Sequence, residues 1–415
     1  MSFTTTAQAA PCADYESGRS IYGSGGSAVT GTLRRVAQGL KGLPEDEQIT
    51  VFYHDKLAAC GGYGQLQNPA ATAATLTYWT WAADGTATEC EAPATKVTFA
   101  HMGNTPTMCP GNEPLPAGYR SYISAVQTTN VITDITSTQT SISAEALYYV
   151  LGFGPGASGK AVAPWVTPGG LFGRSTSSFV HQLLAAAVKV PPTLTQILAA
   201  NTRPTNDEVA LGVAGELPGN AWTGGEASLG YVSGSAAEAR REKVKTLAYQ
   251  HFDQSCGYLP DSDNNSFDKV NVRAGQYYLW TPGWLYAKVN ASGVPVAQDG
   301  ETPVPGLEDF IAWFSGAEDS PEISVAWNGG PWTSVTEVII KAGDIPLCAM
   351  HAIRPGGNLT AIQSYQPDKP CNGYFELIAN GTTDYQQCSG DGECTGENEK
   401  CFYGYCEVTY PDSTN

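Results

Sequence analysis

Apolar residues recur at helical spacing in two places, each after a strand-like stretch and a turn of small residues. Val29, Leu33, Val36 and Leu40 follow Gly23-Ser24-Gly25-Gly26-Ser27, which follows Ser20-Ile21-Tyr22. Val180, Leu183, Leu184, Ala187 and Val188 follow Arg174-Ser175-Thr176-Ser177-Ser178, which follows Leu171-Phe172. Three- and four-residue spacing gathers each set on one helix face. Short β-branched or aromatic runs predict strands at 50–54, 96–100 and 229–232, and a late one through Val335, Val338, Ile339 and Ile340. A helix is predicted over 143–152, with Ser143 at its start and Leu147, Tyr148 and Leu151 on one face. Thr205-Asn206-Asp207-Glu208 and Ser235-Ala236-Ala237-Glu238 both have the capping-box form. The first predicts a helix carrying Val209, Ala210, Leu211 and Val213; the second predicts one reaching about Phe252. Leu307, Phe310, Ile311 and Phe314 predict another helix, and Cys60-Gly61-Gly62-Tyr63-Gly64 reads as a turn. Strand–helix alternation of this kind predicts an α/β protein with largely parallel sheets.

The two small-residue turns are the candidate chemistry. A helix start presents N–H groups without intrahelical acceptors and partial positive charge, and so attracts anions. Glycine admits close backbone approach, and hydroxyls and a guanidinium add donors. Gly25, Gly26 and Ser27 in the first turn, and Arg174, Ser177 and Ser178 in the second, are the candidate ligand residues for a small oxyanion. The opposing reading is two ordinary helix starts.

Composition narrows the classes. The chain has 415 residues, of which 15% are charged, with 46 Gly and 27 Pro. The net charge of -18 opposes nucleic acid, and no basic patch offsets it. The 11 cysteines suit disulfides in an oxidising compartment, with one left over. Five of them lie from Cys371 onward, where apolar periodicity ends and a small disulfide-held module is expected. Cys371 is expected to pair with Cys348. No CxxC occurs and the five histidines are scattered, so no metal site is assigned. Asp261, Asp263, Asn265 and Asp268 lack the glycine and terminal Glu of a calcium loop. No apolar run is long enough to span a membrane. Ala7-Gln8-Ala9 has the small-residue character of a signal-peptide end without its apolar segment. Gly23-x-Gly25-x-x-Ala28 matches a dinucleotide pattern, and 154–160 nearly matches a P-loop, but neither has the required context. No cofactor and no enzymatic nucleophile are assigned.

The order of motifs resembles the phosphate-binding, type II periplasmic substrate-binding proteins. It is carried by strand-Gly23-Ser24-Gly25-Gly26-Ser27-Ala28-helix, the Arg174-Ser175-Thr176-Ser177-Ser178 helix start, the Thr205–Glu208 helix start and Leu229-Gly230-Tyr231-Val232. Ser255-Cys256-Gly257-Tyr258-Leu259-Pro260, Phe267 through Arg273, and Pro346-Leu347-Cys348-Ala349-Met350 resemble a secreted, cysteine-bearing bacterial branch. The resemblance covers about residues 14–375. It implies two α/β lobes joined by crossing strands, with ligand in the cleft. It places Gly25, Gly26 and Ser27 in a first phosphate-cradling turn, Gly61 and Gly62 near a second, and Arg174, Ser177 and Ser178 in a third. Two positions depart from the family. Met102-Gly103 stands where a Ser-Asp pair accepts the ligand's proton, and Phe179-Val180 where a Gly-Thr follows the arginine cluster. Discrimination between phosphate and sulfate is therefore expected to be lost, and Gly103→Asp is expected to restore it.

The organisation expected is lobe 1 over 14–135, lobe 2 over 136–255, a loop-rich return to lobe 1 over 256–370, and an EGF-like Cys-rich module over 371–415. The expected function is an exported, non-enzymatic solute-binding-type protein, secreted, periplasmic or at the cell surface. Its partner is a small oxyanion such as phosphate, with a protein partner for the Cys-rich module. The alternative is a structural or adhesive surface protein that keeps the fold without the ligand.

Overall fold

The computed structural model describes residues 10–69, 74–109, 114–316 and 320–409. Ala7-Gln8-Ala9 lies outside them. The chain forms two compact units. One comprises 1–102, 109–123 and 284–338; the other comprises 103–108, 124–283 and 339–415. The division falls inside two strands, Tyr119–Asp134 and Trp280–Lys288. Residues 256–283 and 339–370, assigned from sequence to the first lobe, belong to the second unit, as does the Cys-rich tail.

The first unit is a mixed sheet with helices. Ser20–Gly25 lies at its centre, parallel to both Thr50–His54 and Phe99–Met102. The hairpin Thr75–Trp81/Ala87–Pro93 and residues 284–287 add antiparallel strands, so the sheet is not largely parallel. Thr50–His54 is buried throughout, as a central strand must be. The Thr30–Lys41 helix buries Leu33, Val36 and Leu40, its predicted face. The predicted turn at Cys60–Gly64 is instead part of a helix, Ala58–Gln67. Four disfavoured positions, three glycines and a cysteine, are held helical by the burial of Ala59, Tyr63 and Leu66 and by the Cys60–Cys109 disulfide. The late strand is also a helix, Val335–Lys341. Its start is a capping arrangement: the Glu337 N–H donates to Ser334 Oγ at 3.1 Å, and the Glu337 carboxylate accepts from the Ser334 N–H at 3.2 Å.

In the second unit, the strands Gly230–Ser233 and Val244–Thr246 pair antiparallel with Tyr119–Asp134. Ile132, Phe172, Val209, Val213, Val232 and Val244 form one core cluster. Thr205 caps the Asn206–Val213 helix, accepting from the Glu208 N–H at 3.2 Å. Ser143 caps Ala144–Gly152 in the same way, but Tyr148 points outward and Val150 takes its place in the core. The helix predicted to reach Phe252 stops at Glu238, and two short strands follow. The acidic loop uses its own carboxylates. Asp263 Oδ1 accepts from the Asn265 and Ser266 N–H groups, and Asp268 Oδ1 from those of Ser262 and Val270. Asp261, with Glu238, neutralises the buried ammonium of Lys269.

Five disulfides form: Cys12–Cys90, Cys60–Cys109, Cys348–Cys371, Cys388–Cys401 and Cys394–Cys406. Cys256 is free and exposed. The sulfurs of Cys388, Cys394 and Cys406 lie close together, but disulfide bonding removes them as thiolate ligands. The tail hairpin, Glu399–Phe402 with Tyr405–Val408, is tied to the second unit by a polar chain. Glu407 accepts from Asn372 Nδ2 at 2.9 Å and the Gly373 N–H at 2.8 Å, and Asn372 Oδ1 accepts from Arg273 Nη2 at 2.7 Å.

Candidate functional site

The two small-residue turns share one local construction: strand, one linking residue, two turn residues, a bend, then helix. The strand runs to Gly25 in the first and to Arg174 in the second. Thr30 N–H closes on the Ser27 carbonyl at 3.3 Å, and Ser178 N–H on the Ser175 carbonyl at 2.9 Å. Their surroundings differ, and the difference separates their chemistry.

In the first turn the glycines answer packing. A Cβ on Gly25 would lie 2.2 Å from the His101 carbonyl oxygen and 2.5 Å from Tyr53 Oη. Gly26 donates its N–H to the His101 carbonyl at 3.4 Å and accepts from Tyr53 Oη at 3.0 Å. The carboxylate of Asp55, at the end of the neighbouring strand, accepts from Thr30 Oγ1 at 3.1 Å. The positive end of the Thr30–Lys41 helix therefore has an anion supplied by the chain itself. Ser27 is half-buried beside it. Gly61 and Gly62 lie in the Ala58–Gln67 helix and form no turn. A Cβ on Gly62 would stand 2.4 Å from both Cα and N of Gly25, so its lack of a side chain lets helix and strand touch. A Cβ on Gly61 would meet the Leu57 side chain at 2.9 Å.

The second turn keeps its anion-attracting features. Arg174 and Ser178 are buried, Ser175 and Ser177 half-buried and Thr176 exposed. The hydroxyls of Ser175 and Ser177 lie 3.1 Å apart. The Phe179–Ala187 helix that follows has no acidic residue in its first turn and no side-chain cap at Ser178. Arg174 is positioned from below. Its N–H donates to Tyr231 Oη at 3.3 Å; Tyr231 donates to His181 Nδ1 at 2.5 Å; His181 Nε2–H donates to the Pro192 carbonyl at 3.0 Å. The last bond assigns the tautomer, leaving Nδ1 as acceptor. Burial lowers the His181 pKa and raises that of Tyr231, so both stay neutral near pH 7. A Cβ on Gly173 would lie 2.3 Å from Tyr231 Oη, which explains the glycine before Arg174.

The two departures named from the sequence meet in space. A Cβ on Gly103 would lie 2.6 Å from the Phe179 ring, itself buried. The phenyl group fills the volume a side chain at 103 would need, so Gly103→Asp cannot simply add an acceptor. Next to it Asn104, fully buried, donates to Gln182 Oε1 at 2.6 Å, and Gln182 Nε2 donates to the Thr176 carbonyl at 3.1 Å. These bonds tie the 103–108 segment to the Arg174 turn. The supporting residues Tyr231, His181 and Asn104 were not among the sequence-predicted set.

No family model matches the chain, and no curated protein matches it. Among solved structures it is similar to a putative phosphate ABC transporter substrate-binding protein with bound phosphate from Clostridium perfringens (12% identity, 79% of this chain and 99% of that one, TM-score 0.46). It is also similar to an ABC-type phosphate transport receptor from Vibrio cholerae (12%, 78% and 99%, TM-score 0.45) and to a possible phosphate binding protein from Planctomyces limnophilus (14%, 66% and 82%, TM-score 0.38). These are general likenesses of chain path; the ligand of this chain is argued from its own residues.

Proposed function

We propose that this chain is a solute-binding-type protein of an oxidising compartment, with a small oxyanion, phosphate first, as its ligand at the Arg174–Ser178 turn. The observation that carries this reading is the construction of that turn. A buried arginine, its backbone fixed by Tyr231, is followed by three serines at the start of a helix that no carboxylate serves from its own first turn. Guanidinium, hydroxyls and helix N–H groups together make charge-assisted hydrogen bonds to an oxyanion. Five disulfides support an oxidising compartment, and no helix among the described residues is long and apolar enough to cross a membrane. With Phe179 over Gly103 in place of a carboxylate acceptor, phosphate and sulfate bind with similar affinity. Calorimetric titration of both anions into wild type, Arg174→Gln and Ser177→Ala tests this. Arg174→Gln removes charge-assisted bonds worth about 1.5–3 kcal/mol, a loss of roughly ten- to hundredfold in affinity. Equal binding by wild type and both variants overturns the assignment.

The Phe179–Gly103 packing and the Asp55 carboxylate favour a second reading, a structural or adhesive surface protein that has lost the ligand. Its contacts with a protein partner then run through the Cys-rich module of 371–415. A folded wild type that binds neither anion supports that reading over the first.

A further inference from the structure

We propose that the second unit carries a separate site for a small carboxylate borne on a flat ring. The site is a cavity of about 590 Å³ lined by Gly169, Asn201, Arg203, Asn220, Ala221 and Trp222, among others. Neither Arg174 nor Ser177 nor Ser178 lines it. Arg203 is the one charged group in the lining. It takes part in no ion pair among the described residues, in a chain with 40 acidic and 22 basic side chains. Arg203 is half-buried, and its guanidinium is a planar group of donors that a carboxylate matches.

The rest of the wall is rigid. Trp222 Nε1 donates to Ser228 Oγ at 2.9 Å, and its backbone N–H donates to Asn220 Oδ1 at 2.8 Å. Its ring lies so close to Gly170 that a Cβ there would come within 2.7 Å. Asn201 Nδ2 donates to the Gly169 and Leu171 carbonyls, and its Oδ1 accepts from Asn220 at 3.4 Å. The indole is therefore fixed before any ligand arrives, and a fixed aromatic face stacks on a ring at little entropic cost. One cation suits one negative charge, which selects a monocarboxylate over a phosphate dianion. Alanine and glycine in the wall leave room for the ring. That ring comes from either of two sources, a sugar acid or an aromatic acid.

The test is calorimetry of the full chain with D-glucuronate, benzoate and neutral D-glucose. Wild type is expected to bind at least one of the two carboxylates and to bind glucose at least tenfold more weakly. Which carboxylate binds distinguishes the sources. Arg203→Gln should lower that affinity tenfold or more; because Arg203 pairs in register with Arg174, it should also weaken phosphate at the Arg174 turn, by less than Arg174→Gln does. Ala221→Trp, at an exposed position, should block the cavity even if Arg203→Gln does not fold. Failure of both carboxylates to bind wild type, or undiminished binding by both variants, overturns the proposal. Phosphate and the two carboxylates are titrated separately into wild type, so failure here and failure of the oxyanion reading are distinguishable.

Discussion

Replacing Tyr231 with Phe removes one oxygen and two hydrogen bonds from beneath the Arg174 turn while keeping the ring. Tyr231, His181 and Arg174 are 2%, 2% and 5% exposed, so water cannot replace what is lost. The Arg174 N–H loses its acceptor and His181 Nδ1 its donor. His181 cannot recover by changing tautomer, because Nε2–H is committed to the Pro192 carbonyl. Protonation does not rescue it either, since burial lowers its pKa. A buried polar group left unsatisfied costs about 1–3 kcal/mol. The long Arg174 bond belongs at the low end and the short His181 bond nearer the middle, so the sum is about 2–4 kcal/mol. At about 2–4 °C per kcal/mol, the melting temperature should fall by roughly 5–15 °C. Scanning calorimetry measures the shift, and phosphate titration of the surviving fold should show weakened binding as Arg174 loses its fixed backbone. A Tyr231→Phe variant that melts within about 1 °C of wild type would refute the claim that this hydroxyl organises the turn.

Further outcomes follow from the same geometry. Lys269→Met removes the buried ammonium between Glu238 and Asp261, leaving Arg241 beside them, and should cost about 3–5 kcal/mol in urea unfolding. Gly62→Ala forces the Ala58–Gln67 helix off Gly25 and should cost about 1–3 kcal/mol or more, whereas Gly61→Ala, meeting only the Leu57 side chain, should cost less, because alanine recovers about 1 kcal/mol of helix propensity. Gly103→Asp should lower the melting temperature by displacing Phe179 and should not add phosphate affinity. Burial raises the Glu407 pKa despite its bonds to Asn372 and Gly373. The folded state thus holds this proton more tightly than the unfolded chain, so the stability it contributes is present below the ordinary carboxylate range and is lost as pH rises through the raised value. Relative to Glu407→Gln, wild type should therefore lose melting temperature as pH rises from the ordinary carboxylate range through the raised value; a pH-independent difference would contradict this.

Much of the α/β framework was legible because its signals are local. The Thr205 and Ser143 caps, the buried face of Thr30–Lys41 and the strand at Thr50–His54 each rest on a few adjacent residues. Val335–Lys341 was misread as a strand because a short Val/Ile run has no decisive period, although Ser334-x-x-Glu337 marked a helix start. The glycines at 61, 62 and 64 masked a helix that burial and the Cys60–Cys109 bond enforce from outside the segment. Antiparallel partners in the first sheet depend on pairing across the chain and left no local mark. The turns themselves were visible as strand–turn–helix. What differentiates them was not: Asp55 at one helix start, and the Tyr231–His181 support of the other, are contacts between residues 25 and 50 positions apart. Gly103 and Phe179 stood out singly, and only the fold joins them.

The most direct test of the oxyanion reading is a crystal structure of the full chain grown with phosphate. The account predicts phosphate within hydrogen-bond distance of the Arg174 guanidinium and the Ser177 or Ser178 hydroxyl. Phosphate bound elsewhere, with the Arg174–Ser178 turn bare at concentrations that saturate the calorimetric titration, would contradict it.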